Sequence, residues 1–214
     1  MVGRVTRVPF RKPDTLDAAL RLALSIPGRD GALGKLVPVG AWILEQDELV
    51  AEMAEWRRRM MGMFLARFDA TPESMTEYLG TYAIGATDRV LFMIRTPDSE
   101  FVGHVGLAHI TEADAELDNL MRGRRGGAPT LMLEAERAVV SWALENLSLR
   151  RVYLRVLSHN HLAIGLHEEV GFSTIQETPL TREERGVTST LVPCTEDDAS
   201  VPFNLNVMEL QRPA

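Results

Sequence analysis

The chain has 214 residues, 45% of them hydrophobic, and a formal net charge of −7, which suits one domain with a substantial core and speaks against a protein whose main work is gripping nucleic-acid backbone. Its single cysteine, Cys194, excludes an internal disulfide framework and a Cys-clustered metal site. Residues 1–10 lack the apolar core of a signal peptide and no apolar run nears the roughly 20 residues that span a bilayer, so no membrane association and a cytoplasmic protein are the expectation.

Residues 1–40 form an extension with little pattern, apart from helical character over 14–26, where Asp14 or Thr15 can act as N-cap. Over 46–68 the residues Leu49, Met53, Trp56, Met60, Phe64 and Phe68 recur every three or four positions, the stripe of one long amphipathic helix. A shorter helix starts near Thr71 and Pro72, with Met75, Tyr78 and Leu79 turned inward. The period then changes. Residues 89–94 are a buried strand, 96–100 a turn and 101–110 the antiparallel partner.

A short strand, 115–120, leads into the run Arg-Gly-Arg-Arg-Gly-Gly-Ala-Pro at 122–129 and then a helix over 130–146. Another strand follows at 151–157, then a helix at 160–170 closed by Gly171 as a left-handed cap. Strands at 172–175 and 201–210 finish the chain, with a long polar loop, 177–200, between them. The strand–helix–strand unit over 115–157 requires two parallel strands joined by a right-handed crossover, while the other strands are antiparallel. The fold class expected is α/β with a mixed, mostly antiparallel sheet and helices on both faces.

The loop at 122–129 carries the clearest chemistry. Three arginines and three glycines stand directly before a helix start, where glycines let backbone N–H groups approach an anion and the helix adds unpaired donors and partial positive charge. A solvated basic turn explains the same residues. The spacing fits neither the P-loop nor the dinucleotide fingerprint.

The order of elements, that loop, and Asn160 leading a helix through Ala163 to Gly171-Phe172 resemble the GNAT superfamily of acyl-CoA N-acyltransferases. The strand Phe101-Val-Gly-His-Val-Gly-Leu107 is similar to the family's central strand. The match covers about 85–176 well and the N-terminal helices loosely. The resemblance implies that strands 115–120 and 151–157 splay apart and that the pantetheine arm of acetyl-CoA pairs with the free backbone of the first. It implies that Arg122, Arg124, Arg125, Gly126 and Gly127 hold the pyrophosphate, and that a backbone N–H near Leu120 or Met121 receives the oxyanion. Asn160 contacts pantetheine or simply caps the last helix.

The family's frequent tyrosine acid is His167 in this chain, either a proton donor to the departing thiolate or a packed helix histidine. Glu116 and Asp118, two apart on one strand and so on one face, are candidates for the base or neutralise neighbouring arginines; Asn119 is expected on the opposite face. His159 and His161 have no third ligand, so no metal is expected. The acceptor expected is an amine of a small molecule such as an amino sugar; a protein N-terminus or lysine is the alternative, and a non-catalytic acyl-CoA-binding module the alternative of another class. An exposed edge on the last strand, 201–210, would allow a homodimer.

Overall fold

The computed structural model describes residues 12–211; the 1–10 segment, read above as lacking a signal core, lies outside them. One ten-stranded sheet runs through the molecule. Its strands are β1 (Leu24–Ile26), β2 (Gly34–Pro38), β3 (Ala66–Arg67), β4 (Val90–Arg95), β5 (Phe101–Ala108), β6 (Asp114–Arg122), β7 (Arg151–Leu157), β8 (Ser173–Arg185), β9 (Thr188–Pro193) and β10 (Asn204–Gln211). Their spatial order is β1-β2-β4-β5-β6-β7-β10-β8-β9-β3. Five α-helices accompany them among the described residues: α1 (Leu16–Leu22), α2 (Asp47–Arg59), α3 (Pro72–Tyr78), α4 (Leu131–Asn146) and α5 (His161–Val170).

The central strands read as unbroken apolar runs because both faces are covered. In β4, Val90, Phe92 and Ile94 enter the cluster under α4, while Leu91 and Met93 enter the one under α2 and α3. Leu131, Ala135, Val139 and Ala143 of α4 pack against β7's Val152 and Leu154. Opposite, Met53 and Trp56 of α2 and Met75 of α3 share a cluster with Met121. α3 starts as its sequence requires: Thr71 and Ser74 form a reciprocal capping box, with Pro72 in the first turn.

β6 and β7 are the parallel pair, in register from Asp114↔Arg151 to Leu117↔Leu154. Beyond Leu117 and Leu154 they part, and β7 keeps its other edge on β10 all the way to Leu157↔Leu205. The splay is therefore built into the sheet.

Four expectations are corrected. The helix over 46–68 ends at Arg59; a 3₁₀ turn, Met61–Met63, and β3 follow, because Leu65 packs on a third cluster with Leu180, Leu191 and Leu205. The 14–26 segment ends its helix at Leu22, and Leu24–Ile26 pairs with β2. The 177–200 loop is a hairpin, β8–β9, turned at Gly186 (φ 63°) and Val187, the glycine-first chemistry of two-residue hairpin loops. The last strand has no exposed edge: β10 lies between β7 and β8, so it cannot supply the dimer contact.

Candidate active site

The splay opens a cleft of about 780 Å³ lined by the end of β6, by Leu154, Arg155 and Val156 of β7, by the start of α4, by α5, and by Met60, Met63 and Phe64. Of the residues anticipated from sequence, Asp118, Leu120, Met121, Arg122, Asn160 and His167 line it. Glu116, Arg124, Arg125, Gly126 and Gly127 lie outside this lining.

β6 is deformed where the cleft begins. Asn119 takes φ 54° and the register against β5 shifts between His104 and Gly106, a bulge that adds one residue and re-aims its neighbours. Asn119 consequently does not face away from Asp118. Its Nδ2 donates to the Asp118 carboxylate at 2.6 Å and to the Tyr78 hydroxyl at 3.0 Å. Asp118 also accepts from the Asn119 N–H (2.8 Å) and from Arg89 (3.0 Å). Tyr78 is pushed up to about 12, first by burial and then by the nearby Asp118 charge. The edge of β6 that faces β7 has no strand partner beyond Leu117, which leaves the backbone around Leu120 turned to the cleft.

The bulge is held from behind. His104 Nδ1 donates to the Asn119 carbonyl at 2.7 Å, and its ring stacks near Trp56 at 6.4 Å between centroids. Burial takes His104 down to about 4. A histidine with a depressed pKa is fully compatible with the fold above about pH 6.5; as pH falls toward 4 the unfolded chain takes up a proton that the folded one refuses. Stability should fall across that window by about 3 kcal/mol. Denaturant titrations at several pH values should show this slope, and His104→Gln should flatten it; the same slope in the variant would clear His104 of the effect.

The two carboxylates differ in circumstance. Glu116 is buried and bound by both Nε (2.7 Å) and Nη2 (3.1 Å) of Arg155, with His109 Nε2 at 3.7 Å. It neutralises an arginine, and only Asp118 borders the cleft.

At the other end of the cleft the 122–130 loop wraps the start of α4. The Gly123 and Arg124 amides both donate to the Val102 carbonyl, at 2.8 and 3.1 Å. Arg59 bonds the Gly123 carbonyl. Arg122 braces the loop through the Gly126 carbonyl (2.8 Å), and Arg124 donates to the Phe101 carbonyl (2.9 Å) with Glu52 3.6 Å away. Arg125 is exposed and forms no ion pair among the described residues. Gly127 takes φ 67°, and a Cβ there would meet Leu131 at 2.6 Å, so only glycine brings this backbone so close to the helix. No side chain caps α4, which leaves first-turn N–H donors available for an anion. These features fit a diphosphate, with backbone donors and Arg125 as grip and Arg122 and Arg124 shaping the loop.

Asn160 caps α5, accepting from the Ala163 amide at 3.4 Å, and borders the cleft as well. His167 is buried, and its Nδ1 lies 2.7 Å from Oε1 of Glu136. Glu136 was not singled out from sequence, although a signal exists: it falls four residues from both Met132 and Val140 on the apolar stripe of α4. Residues 60–67, which the apolar stripe places in the long helix, form instead a 3₁₀ turn and a short strand beside the cleft. Phe64 packs with the α2 cluster and Leu65 with the β8–β10 cluster, and the Leu65 carbonyl accepts from Leu191 at 2.9 Å. Arg57 packs over the Phe64 ring, 3.4 Å from its centroid, and donates to the Ala66 carbonyl at 3.0 Å. This strap ties the two halves of the sheet together on the side of the cleft away from α4 and α5.

The sequence matches the model of the acetyltransferase (GNAT) domain over residues 42–173. No curated protein sequence matches the chain. Among solved structures it is similar to spermidine N-acetyltransferase from Vibrio cholerae in complex with CoA and spermine, with a TM-score of 0.56 at 15% identity over 78% of this chain and 90% of that one. A mutant form of the Vibrio cholerae spermidine N-acetyltransferase SpeG gives 0.53 at 15% identity, over 77% and 90%. The N-acetyltransferase PseH of Campylobacter jejuni in complex with acetyl coenzyme A gives 0.49 at 13% identity, over 79% and 92%.

Proposed function

Because the chain belongs to the GNAT acetyltransferase domain family, we propose that it moves an acetyl group from acetyl-CoA to the primary amine of a small molecule by direct attack on the thioester. The carrying observation is the wedge that opens beyond Leu117 and Leu154, with an uncapped helix start and a glycine-shaped loop at one end and Asp118 at the other. The diphosphate sits on the 122–130 loop, and the pantetheine arm runs along the free edge of β6 as an added strand would.

The amine nitrogen attacks the thioester carbon, and a backbone N–H near Leu120 or Met121 receives the developing oxyanion. Asp118, which borders the cleft beside the free edge of β6, draws in the ammonium form and takes one proton from it directly or through water before attack, and the second proton that the nitrogen sheds after attack passes to solvent. The C–S bond then breaks, and His167 gives a proton to the sulfur. Glu116 has a different part, holding Arg155. The strap at 60–67 favours a small acceptor over a folded protein surface, since it crosses the side from which an amine approaches, with Met60, Met63 and Phe64 as the apolar rim.

Thiol release from acetyl-CoA, measured against amino sugars, polyamines and short peptides, tests this reading. Turnover with small amines is expected; turnover with peptides alone would reverse the acceptor assignment, and CoA binding without thiol release toward any amine would reduce the protein to a binding module. His167→Gln is expected to lower kcat about 100-fold with KM for acetyl-CoA within about threefold.

A further inference from the structure

Between α4 and α5 lies a polar pair that packing does not require. Glu136 is wholly buried among Met132, Val139 and Val140, and its Oε2 meets no donor among the described residues. Arg137, next on α4, is turned to Glu134 and to the Glu169 carbonyl. Among the described residues His167 makes the one ion pair with Glu136, through the 2.7 Å contact to Nδ1, and Arg137 acts on it only through its nearby charge. Burial lifts the Glu136 pKa, and His167 draws it back.

Apolar residues at such a position commonly stabilise as well as or better than a buried pair, and the rest of this helix stripe is apolar. A carboxylate beside Nδ1 does something an apolar residue cannot: it fixes which ring nitrogen keeps its proton and stabilises the imidazolium. His167 borders the cleft, so the nitrogen left for exchange is Nε2.

We propose that Glu136 is a positioning residue for acyl transfer, holding His167 protonated at Nδ1 so that Nε2–H is the proton delivered to the departing sulfur. This rests on the acetyltransferase reading of the cleft. In the tetrahedral intermediate the C–S bond breaks and its electron pair leaves on sulfur. The Nε2–H bond breaks and its proton goes to that sulfur, giving the free thiol. His167 is left neutral with Nδ1–H still on the Glu136 carboxylate, and Nε2 regains a proton from solvent.

Glu136→Gln keeps the shape and removes the charge. It is expected to lower kcat about tenfold or more while KM for acetyl-CoA and the affinity for CoA stay within about twofold. Proton and ¹⁵N spectra of the unliganded protein should show a low-field Nδ1 proton on His167 that Glu136→Gln loses. Since Glu136 acts only through His167, the double variant with His167→Gln should be no slower than His167→Gln alone. Unchanged kcat in Glu136→Gln, additive losses in the double variant, or an effect confined to KM or melting temperature would each overturn the positioning role while leaving His167 as the acid. Full kcat in His167→Gln would remove the acid itself, and the positioning role with it. Should Glu136→Gln not fold, Glu136→Asp withdraws the carboxylate from Nδ1 and is expected to lower kcat in the same way; full activity there overturns the role.

Discussion

Gly123→Val is expected to cost about 3 kcal/mol of stability and to weaken acetyl-CoA binding at least about tenfold. Gly123 is buried with its Cα against the Trp56 indole, and a Cβ built on it would fall inside that ring, close to three ring atoms at once. Trp56 has little room to give way, being 3% exposed and wedged among Met53, Met121 and His104. Overpacking a filled core costs about 1–3 kcal/mol, and a β-branched residue pushed into a ring belongs at the upper end. The same push unseats the Gly123 and Arg124 amides from Val102, which set the height of the loop over α4. A melting-temperature loss of roughly 10 °C follows for a chain of this size. Gly80→Ala is the control: Gly80 lies in the π-helical turn Leu79–Gly85 that follows α3, nothing lies within 4 Å of a Cβ there, and alanine is expected to leave stability within about 1 kcal/mol of the parent. Thermal melts and CoA titration of both variants decide the matter; a Gly123→Val protein as stable and as tight as the parent would show that Trp56 does not fix the loop.

What sequence could reveal of this site followed from local rules. The apolar stripe of α4, the double-faced burial of β4 and the strand–helix–strand order at 114–157 follow from periodicity and handedness, and together they require the parallel pair whose splay makes the cleft. Gly126 and Gly127 before a helix mark the loop for the same local reason. Most of what stayed hidden depends on partners far along the chain. β8 is thirteen residues long and largely exposed, rich in Glu, Thr and Arg, so its pattern resembles a polar loop; it is a strand because β10 pairs with its first half and β9 with its second. β3 is two residues long and exists because Leu65 finds the third cluster. The bulge at Asn119 broke a face argument that assumed strict alternation. Glu136 was passed over because a single charge on an apolar stripe gains meaning only once His167 is placed against it.

Arg155→Met is expected to destabilise the fold by about 2–3 kcal/mol at neutral pH and to loosen the cleft at its apex. Arg155 stands on β7 one residue past the last parallel pair, Leu117↔Leu154, and reaches back with two nitrogens to Glu116 on β6. The Glu116 side chain is 6% exposed and that of Arg155 42%. Removing the arginine therefore strands a buried carboxylate, a loss put at about 3–5 kcal/mol for fully buried pairs, reduced here because water already reaches the arginine side. His109, 3.7 Å from Glu116 and more than half exposed, is too far for a hydrogen bond and replaces little of it. Because the cost comes from an unpaired charge, Arg155→Met combined with Glu116→Gln should recover most of the stability at pH 7. Denaturant unfolding of the parent, the single variant and the double variant at pH 7 reads this directly. No recovery in the double variant would mean that Arg155 supports the splay by packing its stem on β7 and not by its charge.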